Sequence, residues 1–179
     1  MAKSLQDKIK ENHIIFIHSN MVEKDVNEAI LDIMMWSKAS KDIEINLYLS
    51  SADWDFVNTM ALYDVLKSVE NPIAVYCLGE VAYYSVVYLA VASKGKRYAL
   101  KHTEICLRQP YGRLTGGPNQ QTEVDIEYRR ISSERKVFEE IMAEHLNKPV
   151  DEIHQLVEND TKFKADEALK YGLIDLVLE

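Results

Sequence analysis

The 179-residue chain is short of positive charge: 21 Lys and Arg stand against 29 Asp and Glu, a formal net charge of −8. A surface of that sign repels phosphate backbones and anionic headgroups, which argues against electrostatic binding to nucleic acid or to a membrane. Long apolar runs are missing too. The longest, Val81 to Ala92, is broken by hydroxyls and falls short of the ~20 residues a bilayer requires. The opening MAKSLQDKIKENH holds no apolar stretch of the kind that secretory signals carry. Cysteine occurs only at Cys77 and Cys106, in no CxxC pair. Both sit in apolar runs and read as core thiols of a reducing compartment. No linker rich in Pro, Gly or Ser divides the chain, and no repeat appears. What remains, 47% hydrophobic and 28% charged, is a single globular domain of cytoplasmic type.

Within that domain, short β-branched runs alternate with helical patterns. His13 to Ile17 reads as a strand. A helix follows from about Asp25 to Ser40, with Val26, Ile30, Ile33 and Met34 on one face. Glu44 to Leu49 alternates as a strand does and stops at a polar turn, Ser50 to Asp55. After a helix through Phe56, Met60, Tyr63 and Leu66 comes Pro72 to Leu78, a nearly continuous apolar run suited to a parallel strand buried on both faces. Gly79 then leads into an apolar helix, Val81 to Ser93, and two short strands at Arg97 to Leu100 and Glu104 to Leu107. A loop from Gln109 to Gln121 with Gly112, Gly116, Gly117 and Pro118 precedes a long charged helix, about Thr122 to Leu146. Helices at Val150 to Glu158 and around Ala165 to Tyr171, and a strand at Ile174 to Leu178, close the chain. The pattern predicts an α/β domain with a mainly parallel sheet.

Three segments, CLGEVAYYSVVYLAVASKGKRYAL, EICLRQPYG and KADEALKYGLID, resemble in order and spacing the proteolytic subunit of the Clp protease, ClpP. The resemblance runs from about Lys10 to Leu178. It implies the ClpP/crotonase fold of repeated β-β-α units across residues 1–179, with a projecting handle loop and helix at about 109–147. It also implies self-association into a ring, a heptamer that can stack as two rings, and work beside a Clp ATPase.

The positions that carry the family's chemistry are altered. Tyr83 stands where the family has its nucleophilic serine, Arg108 where it has the histidine base, and Asp160 matches the third member of the triad. The glycine-containing oxyanion loop is replaced by Ser50-Ser51-Ala52-Asp53-Trp54-Asp55, so Asp53, Trp54 and Tyr84 mark the former oxyanion region. A serine nucleophile needs an imidazole to take its proton and return it to the leaving group. Arginine stays protonated and accepts nothing. A phenol ionises only near pH ~10, and its ring carries the oxygen beyond the serine position. Asp53 and Trp54 crowd a place where substrate must approach backbone N–H groups, and the acidic side chains oppose a developing oxyanion.

Ser85, two residues on from Tyr83, turns about 200° away on a helix and aligns with a small glycine of the family. None of His13, His18, His102, His145 and His154 falls at a catalytic position, and no metal or cofactor is expected. Arg108 either pairs with Asp160 as a relic of the histidine–aspartate bond or points into solvent, while Tyr83, Tyr84 and Trp54 fill the former cleft. Tyr48 matches an aromatic of the family's ATPase-docking pocket, though it equally suits a core or interface tyrosine. The chain begins almost at its first helix, so the family's axial loops are expected to be missing. The glycine-rich loop is about three residues longer than the family's. Ser132, Ser133 and Glu134 replace aliphatic residues of the long helix, which weakens ordinary ring stacking. The expectation is a proteolytically inactive ring subunit beside an active ClpP paralogue. The alternatives are a peptidase with a rebuilt site and a stand-alone crotonase-like scaffold or binding protein.

Overall fold

The computed structural model describes residues 5–52, 55–111 and 120–179. Five parallel strands form the main sheet in the order β1-β2-β3-β5-β8: β1 Ile14–His18, β2 Ile45–Ser50, β3 Ile73–Cys77, β5 Arg97–Leu100 and β8 Leu176–Leu178. A second sheet pairs β4 (Glu80–Ala82) in parallel with β6 (Glu104–Leu107), which runs antiparallel to β7 (Thr161–Lys164). The helices are α1 Leu5–Glu11, α2 Glu23–Ala39, α3 Phe56–Ser68, α4 Gln121–Leu146, α5 Val150–Glu158 and α6 Ala165–Tyr171. The mixed α/β architecture with a parallel sheet is as the alternation predicts. None of the helices among the described residues is long and apolar enough to cross a membrane.

Local chemistry sets the boundaries. Asp55 caps α3 by accepting the Asn58 N–H at 3.1 Å, and Glu123 and Glu167 accept the Gln120 and Lys164 N–H groups at the starts of α4 and α6. Asn147 ends α4, and Gly172 ends α6, in the left-handed region. The core gathers Ile33, Leu47, Leu62, Val75, Leu89 and Ile105, all buried, between the main sheet, α2, α3 and the segment after β4.

Several elements differ from the sequence reading. β4 and β7 are strands that no periodicity announced: β4 opens the apolar run that reads as a helix, and β7 is a stretch, Thr161–Lys164, with a single apolar residue, Phe163. The apolar segment expected as one helix from Val81 is β4 followed by a 3-10 helix, Tyr83–Val91. On α2 the buried residues are Val26, Ala29 and Ile33, whereas Met34 faces outward beside Leu31 and Met35, the last 69% exposed.

The other face of the main sheet carries one unbroken row. Phe16, Tyr48, Tyr76, Tyr98 and Leu176 are register partners across all five strands. The Tyr48 and Tyr76 rings stack at 4.8 Å, and those of Tyr76 and Tyr98 at 4.9 Å.

Candidate active site

The candidate site forms where β3 ends and the second sheet begins. Gly79 turns the chain with φ +60°, a conformation that a Cβ disfavours. β4 then runs for three residues, and Tyr83 breaks it with φ +56° at the first position of the 3-10 helix. A left-handed residue between strand and helix is the geometry that exposes a nucleophile at a sharp elbow. Here the residue at the turn is a tyrosine, 7% exposed.

Around Tyr83 the site is filled. The Tyr111 ring lies 5.3 Å away, and the Arg108 guanidinium carbon lies 5.7 Å from the Tyr83 ring centroid. Burial pushes the Tyr83 phenol above its ordinary range, contact with Tyr111 adds to the rise, and Arg108 opposes it. The phenolate, the form that could attack, is therefore disfavoured at neutral pH.

Arg108 follows β6 and shares a face with Cys106 and Glu104 by the two-residue period of the strand. The parallel register opposes Glu104 to Glu80, so Glu80 stands on that same face. Arg108 Nη1 lies 3.4 Å from Glu80 Oε1, and its Nε is buried with no partner. The proposed ion pair with Asp160 is not among the ion pairs of the described residues. Asp160 is exposed, has φ +47°, and its Oδ1 accepts the Gln109 backbone N–H at 3.3 Å. The reason is directional: Glu80 is on the face of the sheet toward which Arg108 points, and the left-handed turn at Asp160 aims its carboxylate at the Gln109 amide. The other expectation, a guanidinium in open solvent, also gives way, since Arg108 is three-quarters covered.

Tyr84, only 1% exposed, is wedged edge-on between Phe56 at 5.1 Å and Phe138 at 6.0 Å. Its hydroxyl donates to Glu134 of α4 at 3.0 Å, and burial first, then the Glu134 charge, pushes the phenol well up. Ser85 is fully buried and donates to Ser51 Oγ at 2.9 Å, inside the core and not toward Arg108. Asp53 and Trp54 lie outside the described residues, as does most of the glycine-rich loop. Cys77 and Cys106 are free and buried, and burial pushes their thiols up to about 12 and about 11. His102 lies on an exposed turn after β5. Among the described residues no group of three His, Cys, Asp or Glu side chains could hold a metal ion.

Sequence reasoning missed Glu80, Tyr111 and Glu134. Glu80 was legible only through strand pairing, Tyr111 only through chain direction after Pro110, and Glu134 lies 50 residues from the tyrosine it binds.

The family model described as Clp protease matches residues 1–179. ATP-dependent Clp protease proteolytic subunit 1 of Thermobifida fusca is 34% identical over 172 residues, 96% of this chain and 77% of the relative. Proteolytic subunit 2 of Frankia casuarinae is 30% identical over 172 residues, covering 96% and 78%. Proteolytic subunit 1 of Rhodopirellula baltica is 29% identical, covering 98% and 76%. An elbow in the order strand, left-handed turn, helix, set within a match that spans the whole sequence, leads to one conclusion: the chain belongs to the Clp protease family.

Proposed function

We propose that this chain is a ClpP-type ring subunit that does not cut, and that it shapes or regulates a Clp protease complex containing an active relative. The observation that carries this reading is the occupancy of the base position. A guanidinium neither accepts nor returns a proton, and Arg108 is committed to Glu80 and the Tyr83 ring. Burial of the Tyr83 phenol supports the same reading, because it disfavours the phenolate that could attack.

Two surfaces support assembly in a ring, with a heptamer as the proposed number, singly or as two stacked rings. Leu31, Met34 and Met35 give α2 an exposed apolar face, and Val124, Ile126 and Tyr128 do the same for the front of α4 within the proposed handle, residues 109–147. The tyrosine row on the main sheet, with Tyr48 at one end of its three stacked rings, supports docking of a Clp ATPase there. The proposed setting is the cytoplasm.

The test is hydrolysis of a short fluorogenic peptide by purified protein, with the Tyr83→Ser, Arg108→His double variant alongside as a probe of the elbow. The wild type is expected to show no turnover above buffer. Turnover that survives purification and is lost on substituting Tyr83 or Ser85 would mean a rebuilt site and would overturn the reading.

A further inference from the structure

A charged cluster behind the candidate site is used by nothing described so far. Arg135 of α4 spends every guanidinium nitrogen: Nε donates to Glu139 at 2.7 Å, Nη1 to the Gln109 side-chain oxygen at 3.2 Å, and Nη2 to Glu158 of α5 at 2.6 Å. Glu139 is 5% exposed. Gln109 is the residue after Arg108, and it is held twice more, by Asp160 through its backbone N–H and by the Glu158 carbonyl through its side-chain amide at 3.3 Å. One arginine thus clasps the segment that follows β6 onto two helices.

A further member of the cluster is His154 of α5, whose side chain is half exposed. Its Nδ1 lies 3.1 Å from both Glu139 carboxylate oxygens and 3.1 Å from Arg135 Nη2, and its Nε2 lies 3.4 Å from the same Nη2. A neutral ring with its proton on Nδ1 donates to Glu139 and accepts from Arg135 at Nε2; an imidazolium keeps the bond to Glu139, has no acceptor left and turns an N–H toward the guanidinium. The second proton therefore removes the ring's hold on Arg135. Imidazole is the side chain that exchanges its proton between about pH 5 and 8, and the exposed edge of this ring lets solvent supply it. The charged and titratable groups facing the ring are Arg135 and Glu139 from α4 and Glu158 from its own helix, with Gln109 and Asp160 behind them on the segment after β6 and the turn before β7.

We propose that His154 is a proton-operated latch on Arg135. An unprotonated ring helps to hold the guanidinium in place, and the clasp on Gln109 is tight. An imidazolium competes for Glu139 and repels the guanidinium beside it, so the longest of the bonds Arg135 donates to Glu139, Gln109 and Glu158, the one to Gln109, is released first. The effect passes along the backbone to Arg108 and Tyr111, the two residues packed on Tyr83.

Hydrogen exchange of the intact assembled protein tests this at pH 8 and pH 5.5, with exchange times scaled for intrinsic rates and the β3 amides, Ile73 to Cys77, as internal reference for global opening. Peptides covering Gln109 to Tyr111 are expected to exchange at least threefold faster, relative to β3, at the lower pH. In His154→Asn, whose side chain does not titrate, that ratio is expected to fall to about one. A wild-type ratio of one, or the same ratio in wild type and variant, would overturn the latch. Because the wild-type ratio alone can sink it, the test does not depend on how well the variant folds.

Discussion

Tyr83 holds a left-handed backbone that glycine adopts freely and that a bulky side chain adopts only where its surroundings impose it. The imposing neighbours are known: Tyr111 and Arg108 on the ring, and the Ala82 N–H donating to the Ser51 carbonyl at 2.9 Å just before the turn. Gly79, four residues earlier, depends on the same region of backbone space without such support, so Gly79→Ala is expected to destabilise the fold by about 1 kcal/mol or more in denaturant unfolding. Tyr84 offers a sharper pair of substitutions. Tyr84→Phe removes one donor from Glu134, which keeps its bond from Arg130 at 2.5 Å, and is expected to cost about 1 kcal/mol. Tyr84→Ala empties the wedge between Phe56 and Phe138 and is expected to cost about 3–5 kcal/mol, with unfolding midpoints as the measure of both.

Between elements, the tightest polar joint is Arg97 at the start of β5. It donates to both Asp175 oxygens, to the Gly172 carbonyl at 2.6 Å and to His145 Nε2 at 3.0 Å, which ties β5 to the ends of α6 and α4. Burial first, then the Arg97 charge, lowers the His145 imidazole to about 4 from its usual 6.5. The folded state therefore holds the neutral ring while the unfolded chain binds a proton at higher pH. Stability from this group is complete above pH 6.5, falls as the pH drops toward 4, and levels off below; the loss amounts to about 3 kcal/mol. Asp175, whose carboxyl Arg97 lowers, adds a loss at still lower pH. His145→Gln keeps an acceptor for Arg97 without the titration, so its unfolding free energy is expected to stay flatter between pH 6.5 and 4. At this scale α4, α5, α6, β5 and β6 lie within a residue or two of their sequence patterns. The sequence was silent about β4 and β7, whose pairing with β6 is what assembles the site.

For the whole molecule, both thiols are buried, in no disulfide and shifted toward the protonated form. Reductant is expected to leave the melting temperature unchanged, and a thiol-labelling reagent should react only as the protein unfolds. Assembly has a comparable test. If α2 packs against a second copy, charges at its exposed apolar face break the contact, so Met34→Glu with Met35→Glu should shift the mass in solution from a ring-sized species to a monomer. An unchanged mass would remove α2 from the interface. Neither measurement depends on whether the site can cut.

The sequence by itself determined the α/β class and the family, and it sets Tyr83 and Arg108 where the resemblance leads one to expect serine and histidine. Those readings rest on residue identity and spacing, which a linear string carries in full. The tertiary structure decided what Tyr83 and Arg108 touch. That Arg108 turns to Glu80 and away from Asp160 follows from which strand lies beside β6 and on which face, and that Tyr84 reaches Glu134 follows from α4 packing over the 3-10 helix. A side chain's direction is set by the backbone turn that carries it and by neighbours brought in from tens of residues away. Spacing along the chain holds no record of either.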